Sequence, residues 1–244
     1  MVDRPGGCGR CVGIAPGADA ASLMAIPEHL NYLEAAAIPN VFITAHDAMV
    51  SQAKVQAGEA ILITAGSSGV GSAALQIAAY LGAGPIIATS RSPAKAERLR
   101  GIGASHVIDS RAPNWANEVL DASDGKGVNV VIDQVGGDIF PNLMAAMAIS
   151  GRYISVGRNA GAMTALNLDE LARKRLQLIG VTFRTRSAAQ ALACSSRFIA
   201  DLLPAFADKR LRPVIDRSFP LRDLPQAHVY MDGNDQFGKI LLDI

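Results

Sequence analysis

Three cysteines and four histidines among 244 residues leave little from which to build a metal centre or a disulfide framework. Cys8 and Cys11 have the C-x-x-C spacing of half a structural zinc site. No second pair exists, and Cys194 is far away in sequence, so an irregular tail with incidental cysteines is the better reading and a reducing compartment the simpler setting. A net charge of +1, with no clustered Lys and Arg, argues against nucleic acid or an anionic membrane as partner. There is no apolar signal-peptide core and no run approaching the roughly 18 to 20 apolar residues that span a bilayer. The expectation is a soluble, cytoplasmic protein.

What is present is apolar bulk, 50% of the residues, enough for a sizeable core. It is organised around Ala60 to Gly71, AILITAGSSGVG, in which a β-rich run meets a glycine cluster and then a helix-like segment, Ala73 to Leu81, read as amphipathic. Gly66, Gly69 and Gly71 remove the Cβ atoms that would block a sharp turn, the approach of a diphosphate, and packing of helix on strand. Unpaired N–H groups and the dipole at the helix N-terminus suit that diphosphate. A glycine-rich turn alone is weak; the strand before it and the helix after it make dinucleotide binding the stronger reading.

Residues 1–17, rich in Gly and Pro, read as a loop or tail. Leu33 to Val50 is helical in parts, with Pro39 breaking or restarting the helix, and Lys54 to Glu59 turns into the central strand. Strands at Pro85–Ser90, His106–Ile108, Val128–Asp133, Tyr153–Val156 and Leu176–Phe183 alternate with helices at Pro93–Leu99, Trp115–Leu120 and Phe140–Ala148. Such alternation predicts an α/β fold with a doubly wound parallel sheet of the Rossmann type. The remainder reads as a helix near Ser187–Leu203, a strand near Val214–Phe219, a helix at Leu221–Met231 and a strand at Lys239–Leu242.

In such a fold an acidic residue about 20 positions past the glycines holds the 2′-hydroxyl of NAD. Here that place reads Ser90-Arg91-Ser92 with Lys95 close behind, and no carboxylate. Arg91 can fork onto a 2′-phosphate, Lys95 adds a charge and Ser90 a hydroxyl, so NADPH is the expected cofactor. Either base alone would be an ordinary solvated charge; the missing acid together with both bases tips the balance.

These residues resemble the medium-chain dehydrogenase/reductase superfamily, and within it the zinc-independent NADPH:quinone oxidoreductases of the p53-inducible type. The matching segments include IPEHLNYLEAAAIP (26–39), AGEAILITAGSSGVGSAALQIA (57–78), GVNVVIDQVGG (127–137), GRYISVG (151–157), RKRLQLIGVTFRTR (173–186) and FGKILL (237–242). The resemblance implies a GroES-like substrate domain, here partial and N-terminally truncated, with one wall of the substrate cleft missing. Residues 1–43 are then tail and remnant of that domain, 44–186 the NADP-binding domain, and 187–244 a segment returning to the substrate domain. It also implies that Gly66, Ser67, Ser68, Gly69, Val70 and Gly71 line the diphosphate, and Ser90, Arg91 and Lys95 the 2′-phosphate. Gly157 and Arg158 follow the fifth strand and Phe183 the sixth; Phe237 and Lys239 close the cofactor cleft, and Thr44 lies near the nicotinamide. Where the family often has Tyr near the adenosine phosphate, this chain has Asp109-Ser110.

Short-chain dehydrogenases share a similar turn but need Tyr-x-x-x-Lys, and none of Tyr32, Tyr80, Tyr153 or Tyr230 has it. Zinc alcohol dehydrogenases need clustered Cys and His; His29, His46, His106 and His228 are scattered, and His46 reads as a packed helical residue. The expected activity is hydride transfer from NADPH to a quinone or conjugated enone without metal, protonated from solvent or from Thr44 as the candidate catalytic residue. The alternatives are a zinc-independent alcohol dehydrogenase or enoyl thioester reductase, and an NADPH-binding module without turnover. The apolar, uncharged Leu176–Phe183 edge predicts a homodimer, with cover by the Ser187–Leu203 helix as the competitor.

Overall fold

A computed structural model describes the backbone of residues 11–12 and all of residues 23–244. In chain order the strands and helices are β1 (Cys11–Val12), β2 (Met24–Ala25), α1 (Tyr32–Ala36), α2 (Pro39–His46), β3 (Ile61–Ile63), α3 (Gly69–Tyr80), β4 (Ile86–Ser90), α4 (Ala96–Arg100), β5 (His106–Asp109), α5 (Trp115–Asp121), β6 (Val128–Asp133), α6 (Phe140–Ala145), β7 (Met147–Ser155), α7 (Leu168–Lys174), β8 (Gln177–Gly180), α8 (Ala188–Ala207), β9 (Ile215–Pro220), α9 (Leu224–Asp232) and β10 (Lys239–Asp243). The chain folds as two compact units, one of residues 45–182 and one built from residues 1–44 together with 183–244.

In the continuous unit six parallel strands lie in the order β5-β4-β3-β6-β7-β8. This is an α/β doubly wound sheet, with the chain leaving β3 to one side through β4 and returning to its other side at β6. The strands are apolar because both faces are covered: every residue of β3 and β4 is buried. Leu62, Ile87 and Val131 pack with Trp115, Val119, Leu143 and Met144, and the Phe140 ring meets Tyr153 edge-on at 4.9 Å. In the discontinuous unit β1 pairs with β2 and β9 with β10, and Phe206 makes edge contacts with Phe42 and Phe198.

Several boundaries depart from expectation. Residues 71–78 of α3 are buried all round rather than on one stripe: Gly71, Ser72, Ala73, Ala74 and Ala78 are small enough to be covered on every side, along with Leu75, Gln76 and Ile77. The helix expected over Phe140–Ala148 stops at Ala145, since Met147 pairs with Val128 and starts β7; Ser150, at φ 62°, bends that strand before it resumes at Arg152. Leu176–Phe183 yields only four strand residues, β8, at the sheet edge, although Val181 N–H still donates to the Ser155 carbonyl at 2.9 Å. Pro93–Lys95 forms a 3-10 turn before α4, and α8 runs on through Pro204. Cys11–Val12 is a short strand where a loop was expected; Cys8 lies outside the described residues. Helix α7 was not foreseen, though its signals are in the sequence: Asn167 caps it, acids open it, and Arg173 and Lys174 close it.

One buried carboxylate ties the carboxyl ends of the central strands together. Register pairs Ile63 with Ile132, which sets the next residues, Thr64 and Asp133, side by side. Thr64 Oγ1 donates to Asp133 Oδ1 at 2.7 Å and Tyr153 Oη to Oδ2 at 2.6 Å, while the Val135 and Gly136 N–H groups each donate at 2.9 Å. Asp133 is fully buried, and burial, with the neighbouring Asp133 charge and hydrogen bond, raises the Tyr153 hydroxyl well above its usual pKa. Four donors compensate the desolvation of that charge. Removing one with Tyr153→Phe should cost about 1 to 3 kcal/mol of unfolding free energy in chemical denaturation. Because the folded-state pKa is raised, the contribution is complete below the ordinary value of 10.0 and fades above it, so wild type should lose more stability than Tyr153→Phe as pH rises past 10.

Candidate functional site

The chain leaves β3 through Thr64 and Ala65, the latter held at φ 48°, and enters α3 at Gly69. Ser68 is the N-cap: its Oγ accepts from the Gly71 N–H at 3.0 Å and donates to Gln134 Oε1 at 2.8 Å. Gln134 in turn donates from Nε2 to the Thr64 carbonyl and from its backbone N–H to Thr64 Oγ1, both at 2.9 Å. The Asp133 cluster thus continues through Gln134 to the first turn of α3. A Cβ on Gly71 would sit 2.4 Å from the Ala65 carbonyl oxygen, and one on Gly66 would press on Ala88 and Leu99 at 3.0 and 3.2 Å. These two glycines close the turn against helix and sheet. Ser67, Ser68, Gly69 and Val70 form its half-exposed tip, where the α3 N-terminus presents N–H groups suited to a diphosphate.

On one side of this turn β4 ends at Ser90, which is buried; its Oγ donates to the Ser92 carbonyl and accepts from the Ser92 N–H. Arg91 is exposed, and Lys95 ends the following 3-10 turn. Ser110 N–H donates to the Ser90 carbonyl at 3.3 Å, placing the end of β5 alongside. On the other side, Gly157 N–H donates to the Asp133 carbonyl at 3.1 Å, and a Cβ there would meet the Gln134 carbonyl oxygen at 2.5 Å. Arg158 follows, exposed. The expected diphosphate, 2′-phosphate and post-β7 residues therefore gather at the carboxyl ends of β3 to β7. That is the crevice where doubly wound sheets bind nucleotides.

Thr44, Phe183, Phe237 and Lys239 belong to the other unit. Thr44 Oγ1 donates to the Asn40 carbonyl at 2.7 Å within α2, a bond it must release to serve a substrate. The Arg186 guanidinium lies 4.6 Å over the Phe183 ring. Phe237 is buried and donates its N–H to Asp216 Oδ1 at 3.1 Å; burial lowers the Lys239 ammonium below its usual pKa. His46 is buried in α2. Sequence reasoning missed the Thr64–Asp133–Tyr153–Gln134 cluster. Its one visible signal was an acid at the end of a Val- and Ile-rich strand.

The family model described as zinc-binding dehydrogenase matches residues 69–197. The chain is 33% identical over 238 residues to the highly reducing polyketide synthase azaB of Aspergillus niger, covering 94% of this chain and 9% of that protein. It is 30% identical over 226 residues to quinone oxidoreductase-like protein 2 of Bos taurus, covering 93% of this chain and 64% of the relative. Among solved structures, an NAD-dependent alcohol dehydrogenase superposes with a TM-score of 0.82 at 31% identity, covering 92% of this chain and 62% of the other. The JamJ enoyl reductase superposes at 0.80 and 30% identity, covering 93% and 67%. With more than half its length matched, the chain belongs to the zinc-binding dehydrogenase family, in the medium-chain dehydrogenase/reductase superfamily.

Proposed function

We propose that the chain is an oxidoreductase passing hydride from NADPH to a conjugated carbonyl acceptor, a quinone or an enone, without metal. The observation that carries the cofactor choice is the end of β4: Arg91 stands exposed with no ion-pair partner among the described residues, Lys95 follows, and no carboxylate occupies the ribose position. Among the described residues no three His, Cys, Asp or Glu side chains stand close enough to hold an ion, which supports the metal-free reading over the zinc named in the family's description. A conjugated acceptor suits such a site, since its extended π-system takes the developing negative charge. When bound, NADPH supplies the hydride. The chain's part is placement: the 67–70 tip and the α3 N-terminus hold the diphosphate, and Arg91, Lys95 and Ser90 hold the 2′-phosphate. The proton comes from solvent or from a hydroxyl, Thr44 being the candidate.

An enoyl thioester is the second reading, supported by the likeness to the JamJ enoyl reductase and the azaB polyketide synthase. The chain spans only 9% of azaB and 64% of the bovine relative, so activity, acceptor and partners of the whole proteins carry over as proposals. A panel of a small quinone, an enone and an enoyl thioester, assayed with NADPH before and after chelation, separates these readings. Quinone or enone turnover unaffected by chelator is expected; NADPH binding without turnover of any of the three would favour a nucleotide-binding module.

Coenzyme choice has its own test. Charge-assisted contacts to phosphate contribute on the order of 1.5 to 3 kcal/mol each. An Arg91→Ala/Lys95→Ala variant should lose most of its preference for NADPH over NADH in binding titrations, and full retention would sink the assignment.

The proposed assembly is a homodimer through β8. This strand is the sheet edge, its Leu178 is 40% exposed, and it carries no charge or proline to discourage pairing. Ile179→Pro removes a donor from the edge and should give monomer or aggregate in sedimentation; an unchanged dimer would place the contact elsewhere.

A further inference from the structure

A carboxylate does stand beside the proposed 2′-phosphate site, on the neighbouring strand. Asp109 ends β5 in direct register with Ser90 at the end of β4, and adjacent strands lie about 4.8 Å apart. Left bare, it would sit among the groups assigned to a dianionic phosphate, and it would also be the nearest anion on that strand for Arg91. Neither occurs. Arg111, two residues on, closes back over it: Nη2 donates to Oδ2 at 2.6 Å, Nε to Oδ1 and Oδ2 at 3.0 and 3.2 Å, and the Arg111 backbone N–H to Oδ1 at 3.0 Å. Both carboxylate oxygens are occupied. These bonds, the guanidinium's first and then the backbone N–H, hold the Asp109 carboxyl down at about 2, so the pair stays charged and closed at any ordinary pH. Arg111 is exposed, and an exposed ion pair of this kind contributes little to stability, so its value to the molecule lies elsewhere.

Resting on the NADPH reading above, we infer that Arg111 is a specificity-determining residue of the nucleotide crevice: it neutralises Asp109 and thereby keeps Arg91 available for the 2′-phosphate. In this scheme Arg111 touches its neighbour rather than the cofactor. Its loss would set Asp109 free either to repel the phosphate or to draw Arg91 away. Both routes weaken NADPH and spare NADH, which has no phosphate there.

The test is a double-mutant cycle read as dissociation constants for NADPH and NADH, with far-ultraviolet circular dichroism to check that each variant keeps its fold. Arg111→Ala should weaken NADPH about tenfold and leave NADH within about twofold. Asp109→Asn should leave NADPH binding as tight as wild type or tighter. Arg111→Ala/Asp109→Asn should restore wild-type NADPH affinity, because the charge needing neutralisation is gone. If the double variant stays as weak as Arg111→Ala, Arg111 binds the phosphate itself and the inference is overturned. An Arg111→Ala chain that prefers NADPH as strongly as wild type overturns it too, leaving the cofactor reading intact. A wild-type chain that holds NADH as tightly as NADPH defeats the cofactor reading, and the inference with it.

Discussion

The carboxyl end of the central sheet depends on a single buried carboxylate. Asp133 is fully buried, and four donors meet it: a hydroxyl from the residue after β3, a hydroxyl from β7, and two N–H groups of its own following turn. Parallel strands alone leave their carboxyl ends to splay, because each strand hands the chain to a different loop. One carboxylate shared by three of those ends fixes their spacing. Through Gln134 and Ser68 the same constraint reaches the first turn of α3 and fixes the N–H groups proposed to hold a diphosphate.

Local signals were strong where backbone geometry dictates residue type. Gly71 was legible because a Cβ there would run into the Ala65 carbonyl oxygen, Gly66 because one would crowd Ala88 and Leu99, and β6 as a Val- and Ile-rich run broken only by Asn129 before Asp133. The bounds of β7 were not, because they rest on Met147 meeting Val128, a pairing between residues apart in sequence that no window can display. The burial of α3 on all sides failed for a related reason: its alanines look permissive in sequence, and only the packed neighbours show that there is no solvent side between Gly71 and Ala78.

The candidate site divides along the same line. Residues read from a motif, the turn at 66–71 and the bases after β4, fall together at one end of one sheet. The polar cluster beneath them has no motif, since Thr64, Asp133, Gln134 and Tyr153 are ordinary residues until strand register sets them against each other. Asp109 shows the converse. It is visible in the sequence as a departure from the family's Tyr near the adenosine phosphate, but only the pairing of β5 with β4 sets it level with Ser90.

The split of the smaller unit between residues 1–44 and 183–244 bears on how the molecule comes into being. A ribosome releases the chain from its N-terminal end, and domains generally fold as they emerge. The 45–182 unit has all its strands in one continuous stretch and can close as soon as β8 is clear. Phe42 cannot settle so early: its ring partner Phe206, and Phe198 beside that, come only after the whole sheet unit has been made. For that interval Phe42 lacks its ring partner, so an aromatic made before the sheet unit is buried only after it.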